Sequence, residues 1–404
     1  MDFEVVILGT DINSYYMARN CHEAYNKKPF VIGKEPMSFT TYSKILNLEI
    51  VDNLHDAKIF RKILKLFALN HKNKKLLLIG TNDAYMRLIM ENQEFLKKYY
   101  IFPSISEDLL NNLLVKDKFY TAFQNLDIPD TYIFNVKKDK LDLKRIKNLG
   151  YPLILKPSDS VNYYTHSFDG QAKVYKISDK NDLISVVDKI KTSGYERNLI
   201  IQEFIPGDDS CLFDVVAYCD RNKKVKIMTF AQIGLQEHTS TGVGNCTLLI
   251  NGYNEYGNTL KVVKKLKKFI ESIDYQGFAE FDLKYDRTDG KFKVLEINPR
   301  QARSSYYLTA CGFNLVKYLV DDLIYKKDFD YEFIDEKMCL SFVPKIVIKK
   351  YVSNTLFKEE VFKLIKQGKF TDPLDYKKDR PLKRRIWLIL RKINYIRKYK
   401  NSDW

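Results

Sequence analysis

Apolar strands alternate with helical patterns through the first quarter of the chain, and this alternation restricts the fold more than any other feature. Val5, Val6, Ile7 and Leu8 form an apolar run, a helical pattern covers residues 14–25, and Phe30, Val31 and Ile32 form the next run. Leu76, Leu77, Leu78 and Ile79 make a further strand that ends in Gly80-Thr81-Asn82-Asp83 and leads into a helix. Strands separated by helices in this way pair in parallel, because each crossover must pack back onto the sheet. The expectation is a doubly wound α/β domain over residues 1–112. Gly9 stands alone after the first strand. It lacks the G-x-G-x-x-G spacing of a dinucleotide loop and is read as a structural turn.

From residue 113 the texture changes. Strands are expected at 151–156, 172–177, 199–205, 212–220, 225–234, 278–285 and 292–297, with helices at 179–193 and 258–273. Hairpins beside helices predict an α+β domain with antiparallel sheets over 113–330, divided at about residue 200. Residues 331–404 form a less patterned C-terminal extension that ends in a basic tail.

The rest of the composition limits the environment. A chain of 404 residues with 45% hydrophobic and 29% charged residues is long enough for two or three cores. It contains no apolar run near the ~20 residues that cross a bilayer, and no leader pattern at its start. The six cysteines are scattered without a CxxC pair, so reduced thiols in the cytoplasm are expected. A net charge of +16 calls for an anionic partner without choosing one. No nucleic-acid-binding module is visible.

The chemistry is concentrated in residues 282–300. Side chains alternate across a strand, so Glu280, Asp282 and Lys284 share one face of the first strand. After the turn Asp286-Arg287-Thr288-Asp289-Gly290-Lys291, Glu296, Asn298 and Arg300 share a face of the returning strand. Oxygen donors on two neighbouring strands suit a hard cation, which takes one or two carboxylates plus phosphate and water. An ordinary solvated hairpin would show the same alternation. Three upstream pieces favour the metal reading. Lys118 lies on a helix, Lys156 ends the strand of Tyr151-Pro152-Leu153-Ile154-Leu155-Lys156, and an apolar strand opens through Gln202, Glu203, Phe204 and Ile205 into Asp208 and Asp209.

This order, ending in Glu296-Ile297-Asn298-Pro299-Arg300, resembles the ATP-grasp ligases, which include biotin carboxylase and the D-alanine:D-alanine ligases. The resemblance covers residues 113–325. It implies an ATP-grasp fold preceded by a Rossmann-like domain. It further implies that Lys118, Lys156 and Ser158 meet nucleotide phosphates, that Gln202, Glu203, Phe204 and Ile205 receive adenine, and that Asp208 or Asp209 lies near the ribose. Asp282, Glu296 and Asn298 would bind Mg²⁺ or Mn²⁺, with Glu280 as the substitute for Asp282. Residues 168–175 and 295–307 are most similar to the D-aspartate ligases of Gram-positive cell-wall assembly. The implied reaction phosphorylates the carboxylate of an amino acid, D-aspartate being favoured, and an amine of a peptidoglycan precursor attacks the acyl phosphate. Arg300 would stabilise that intermediate, and Arg303 with Ser304 would seat the substrate carboxylate. A bicarbonate-using carboxylase or carbamoyl-phosphate-type enzyme is the alternative within the fold, and a non-catalytic nucleotide-binding protein the alternative outside catalysis.

Three features stand apart from this pattern. The loop after Lys156, Pro157-Ser158-Asp159-Ser160-Val161, lacks the glycines that bring backbone amides to phosphate. His238, in the polar loop of residues 231–245, is a candidate base for the attacking amine or simply an exposed residue. Between Lys377 and Lys400, eleven Lys or Arg residues against the single acid Asp379 are interleaved with apolar residues. That tail reads either as an amphipathic helix for an anionic membrane surface, placing the protein peripherally at the inner face of the membrane, or as a helix docked on the enzyme. The oligomeric state is not legible.

Overall fold

The structure is a computed structural model that describes residues 2–237, 239 and 242–402, the side chains of Ser160 and Val161 excepted. The N-terminal alternation folds as expected into a parallel sheet in the order Asn47–Ile50, Phe30–Gly33, Phe3–Leu8 and Lys75–Gly80. Helix Ile12–Tyr25 follows the first strand and is capped by Asp11, whose carboxylate accepts from the amides of Asn13 and Ser14. Gly9 has a φ of +118° and packs so closely on Thr81 that a Cβ would lie 2.4 Å from its hydroxyl. Its role is therefore a backbone turn.

A second sheet, fully antiparallel, runs Thr131–Asn135, Asn198–Glu203, Leu153–Pro157 and Tyr175–Ile177. It has its own apolar cluster, including Phe134, Leu155, Leu183 and Leu199, and forms a small separate lobe. The largest sheet follows the path Lys291–Asn298, Gly277–Asp286, Leu212–Cys219, Ala231–Gln236, Cys246–Asn251, Met338–Ser341 and Phe370–Thr371. The strand expected over 225–234 is broken into Val225–Thr229 and Ala231–Gln236, which pair with different parts of Leu212–Cys219. Beyond residue 331 the chain continues the same sheet. Glu332–Ile334 pairs parallel with Val225–Thr229, and Met338–Ser341 pairs antiparallel with Cys246–Asn251.

The basic tail forms helix Leu382–Lys400, docked by one face. Arg384 is fully buried, with its guanidinium 3.8 Å from the centre of the Tyr15 ring and 3.2 Å from the Asp379 carboxylate. Asp379 in turn accepts from Tyr15, Ser43 and the Lys44 amide, all in the N-terminal domain. Further along, the Tyr399 hydroxyl donates to the Gln236 carbonyl at 2.6 Å in the large sheet.

Candidate active site

Register builds the site. Asp282 lies directly opposite both Glu296 and Asp214 on its two neighbouring strands, so three carboxyls stand side by side on one face. Glu280 pairs with Asn298 one step along, and the Asn298 amide donates to Glu280 at 2.6 Å and to Asp282 at 3.3 Å. The bulge after Asp282 ends this alternation and re-aims the rest of the hairpin. Asp214 was not singled out in the sequence; its signal is a single acid in the otherwise apolar strand Leu212–Cys219.

The electrostatics split this cluster. Lys116 places its ammonium 2.7 Å from Glu296 and holds that carboxyl well below its ordinary range, with Lys156 adding to the effect. Burial, then the neighbouring Glu280 and Glu296 charges, push Asp282 well above the usual carboxylate range. Burial also raises Glu280 to about 8, with Asp214 contributing. Asp214 itself is raised to about 7 by burial and by Asp282, against hydrogen bonds from Ser304 and Tyr307. Packed carboxyls of this kind gain from a cation among them. Among the described residues no three acidic, histidine or cysteine side chains already surround one point. Asp282, Glu296 and the Asn298 side-chain oxygen are the hard donors here that would suit Mg²⁺; as the side chain lies, that oxygen accepts from Arg300 and the amide nitrogen faces the carboxyls.

Arg300 is held by three elements. Its Nε donates to Asp83 at 2.8 Å, one terminal nitrogen to Asn298 Oδ1 at 3.0 Å, and the other to the Gln301 carbonyl. Asp83 opens helix Asp83–Glu91 directly after the last parallel strand, so the N-terminal domain positions the site's central guanidinium.

The two lysines of the sequence reading have different surroundings. Lys156 lies over Tyr120, 3.0 Å from its hydroxyl, and Tyr120 donates to the Leu295 carbonyl of the hairpin. Lys118 is exposed on helix Lys116–Ala122, and from this helix it is Lys116 that reaches the carboxylates. Spacing alone could not separate Lys116 from Lys118, because one helical turn carries both. Ser158 is buried, its amide bonded to the Asn198 carbonyl. The glycine-poor segment folds into the short helix Ser160–Tyr164, capped by Asp159, instead of an open phosphate loop.

The strand expected to receive a purine ends its ladder at Glu203. Gln202 turns its amide to Thr131, and Glu203 accepts from Lys293 at 2.6 Å. The amides of Phe204 and Ile205 lie past the last ladder pair, and the Phe204 ring sits between the ammonium groups of Lys176 and Lys284, at 4.5 and 5.5 Å. Asp208 caps the turn at Ser210 and accepts from Ser353, while Asp209 binds the Gln236 amide and side chain. Both carboxylates thus secure the loop that follows the strand.

Arg303 lies at the far end of the site. It donates to Tyr395 at 2.9 Å, and Arg391 donates to the same hydroxyl at 3.0 Å. Lys398 binds Glu237 at 2.7 Å, with Arg303 3.5 Å from the same carboxylate. Three cations from two distant stretches of chain therefore meet around one glutamate. Ser304 is spent on Asp214, and Ser305 accepts from the Ala302 amide. His238 lies outside the described residues.

A small antiparallel lobe, a large mixed sheet carrying the carboxylates and a preceding parallel sheet make up the fold of the ATP-grasp ligases, enzymes that form C–N bonds with ATP. The fold is shared with N5-carboxyaminoimidazole ribonucleotide synthetase in an ADP complex, at a TM-score of 0.61, 14% identity and coverage of 83% of this chain and 80% of that one. It is also shared with the L-amino acid ligase of Bacillus licheniformis, at a TM-score of 0.57, 14% identity and coverage of 80% and 74%. No family model matches the chain. The chain belongs to the D-aspartate ligase family: it is 32% identical to the D-aspartate ligase of Enterococcus faecium (strain Aus0004), over 99% of this chain and 96% of that protein.

Proposed function

We propose that this enzyme joins the carboxylate of an amino acid, D-aspartate being favoured, to the lysine amine of a peptidoglycan precursor. The observation that carries the reading is the face of Asp214, Asp282 and Glu296 on three adjacent strands, with Lys116 bonded to Glu296, the Lys156 charge acting on the same carboxyl and Arg300 bonded to the neighbouring Asn298. Adenine would stack beside Phe204 and bond the backbone past Glu203, with Asp208 and Asp209 shaping the ribose end. Lys118 and Lys156 would approach phosphate. Asp282, Glu296 and Asn298 would hold Mg²⁺ or Mn²⁺, which when bound neutralises charge on the β- and γ-phosphates.

The substrate carboxylate oxygen attacks the γ-phosphorus, the bond to the ADP oxygen breaks, and ADP departs. The amine nitrogen then attacks the acyl carbon, the C–O bond to phosphate breaks, and the amine loses a proton. Arg300, fixed in advance by Asp83 and Asn298, would neutralise the acyl phosphate without reorganising. Arg303, joined by Arg391, would bind the carboxylate that is not activated, since paired guanidiniums suit a planar anion.

The test measures ADP release with Mg²⁺ across D- and L-amino acids, with and without a lysine-containing cell-wall peptide. Turnover should require Mg²⁺ and rise with one amino acid and further with the peptide. Stimulation by bicarbonate and by no amino acid would replace this reading with the carboxylase one.

A further inference from the structure

The tail helix Leu382–Lys400 has two faces, and docking uses one of them. Arg384, Tyr395 and Tyr399 are buried, and Trp387, Leu388, Arg391 and Lys398 are partly buried on the same side. On the opposite side Leu382, Ile386, Ile389, Leu390, Ile393 and Ile396 recur at helical spacing and are 37–69% exposed. A row of six aliphatic side chains in water is unusual for the surface of a folded enzyme.

Charge identifies what would cover it. The helix contains no acidic residue. Lys383, Arg385, Lys392 and Arg397 are exposed along the two borders of the aliphatic row, and of these Lys392 approaches Asp372 at 3.7 Å. The adjoining helix Lys345–Tyr351, which meets the tail through Tyr351 and Tyr399, exposes Ile346 beside Lys345, Lys349 and Lys350. An aliphatic stripe bordered by cations on both sides matches an interface of acyl chains beneath anionic headgroups. A protein partner would have to match the stripe with apolar side chains and the borders with acids.

We propose that the outer face of this helix seats the enzyme on an anionic lipid bilayer, lying in the plane of the surface and not crossing it. No helix among the described residues is long and apolar enough to cross a membrane. The docked inner face is already part of the fold, so the helix needs no ordering on contact and the bilayer meets a rigid surface. The same helix supplies Arg391 and Lys398 to the candidate site, which would then open close to the lipid surface.

The proposal is independent of the ligase reading and is tested without turnover. Full-length protein is sedimented with vesicles of mixed phosphatidylglycerol and phosphatidylcholine, or of phosphatidylcholine alone. The protein should pellet with the anionic vesicles, and less so at about 0.5 M salt, where screening shortens to a few Å. The double variant Ile389→Glu with Ile393→Glu alters exposed positions and should melt at the wild-type temperature. Its partition onto anionic vesicles should fall at least about tenfold. Wild-type protein that stays in the supernatant with anionic vesicles overturns the proposal. So does a double variant that binds like wild type, or a wild-type dimer without lipid affinity that the same substitutions split, which would make this face an interface between copies.

Discussion

Glu296 faces the cleft with its carboxylate 2.7 Å from Lys116, so replacing it by Gln removes charge while keeping shape. Glu296→Gln should lower ATP turnover at least about a hundredfold, on the scale of losing a charged transition-state contact. Its melting temperature should stay near wild type, because the side chain is 40% exposed. Retained turnover in a steady-state ADP assay would remove Glu296 from the metal set. Arg300→Lys tests geometry instead of charge, since an ammonium cannot reproduce a fork that reaches Asp83, Asn298 and the Gln301 carbonyl together. A fall in kcat of about 10²–10³ with an unchanged KM for ATP is expected. An equal rise in KM for ATP would make Arg300 a nucleotide anchor. At this scale strand alternation sufficed to put Asp282 with Glu280, and Glu296 with Asn298 and Arg300. It could not show Asp214 or Asp83, because each comes from a strand or domain whose neighbour is fixed only by tertiary pairing.

The elements differ in how far local sequence determined them. The hairpin Gly277–Asp286 to Lys291–Asn298 was legible because period-two alternation and the Asp-Gly turn agree. The segment after Lys156 was legible only by what it lacks, and its helical turn depends on Asp159 capping and Tyr163 packing on Tyr195. The tail helix was legible as amphipathic, but the sequence offered docking and membrane contact as alternatives where the structure docks one face and leaves the other exposed. Its anchor makes a stability prediction. Arg384 and Asp379 are both fully buried, and removing one partner strands the other. Arg384→Met should cost about 3–5 kcal/mol in urea unfolding, and a loss under about 1 kcal/mol would show that the pair is dispensable. Glu237 adds a pH dependence. Burial opposes its ionisation, but Lys398 and Arg303 hold the carboxyl below its ordinary 4.5. Its stabilisation is therefore full above pH 4.5 and lost as pH falls through the lowered folded value. The stability gap between wild type and Glu237→Gln should shrink as the medium is acidified below that point; a gap independent of pH would contradict the ion pair.

Three stretches of chain far apart in sequence close one site. Asp83 comes from the parallel domain, the carboxylates from the large sheet and Arg303 from the turn after its strand Lys291–Asn298, and Arg391 and Lys398 from the tail. The tail is accordingly expected to be part of the folding unit and not a detachable appendage. Deleting everything from Lys377 onward would remove the Arg384–Asp379 anchor together with buried Tyr395 and Tyr399 and partly buried Trp387 and Leu388. Fully burying a large apolar side chain stabilises by about 1.5–3 kcal/mol, so these losses together approach the 5–15 kcal/mol that typically holds a protein folded. They would also expose Thr247 and Gln236, whose partner Tyr399 is lost. The shortened chain should therefore be insoluble or melt without a cooperative transition when followed by circular dichroism. The outer-face variant Ile389→Glu with Ile393→Glu should fold normally under the same conditions, which separates loss of the docked face from loss of the exposed one. A soluble, cooperatively melting chain ending at residue 376 with the wild-type transition temperature would show that the parallel domain and the large sheet are complete without the tail, and that Arg391 and Lys398 reach the site only as late additions to a finished fold.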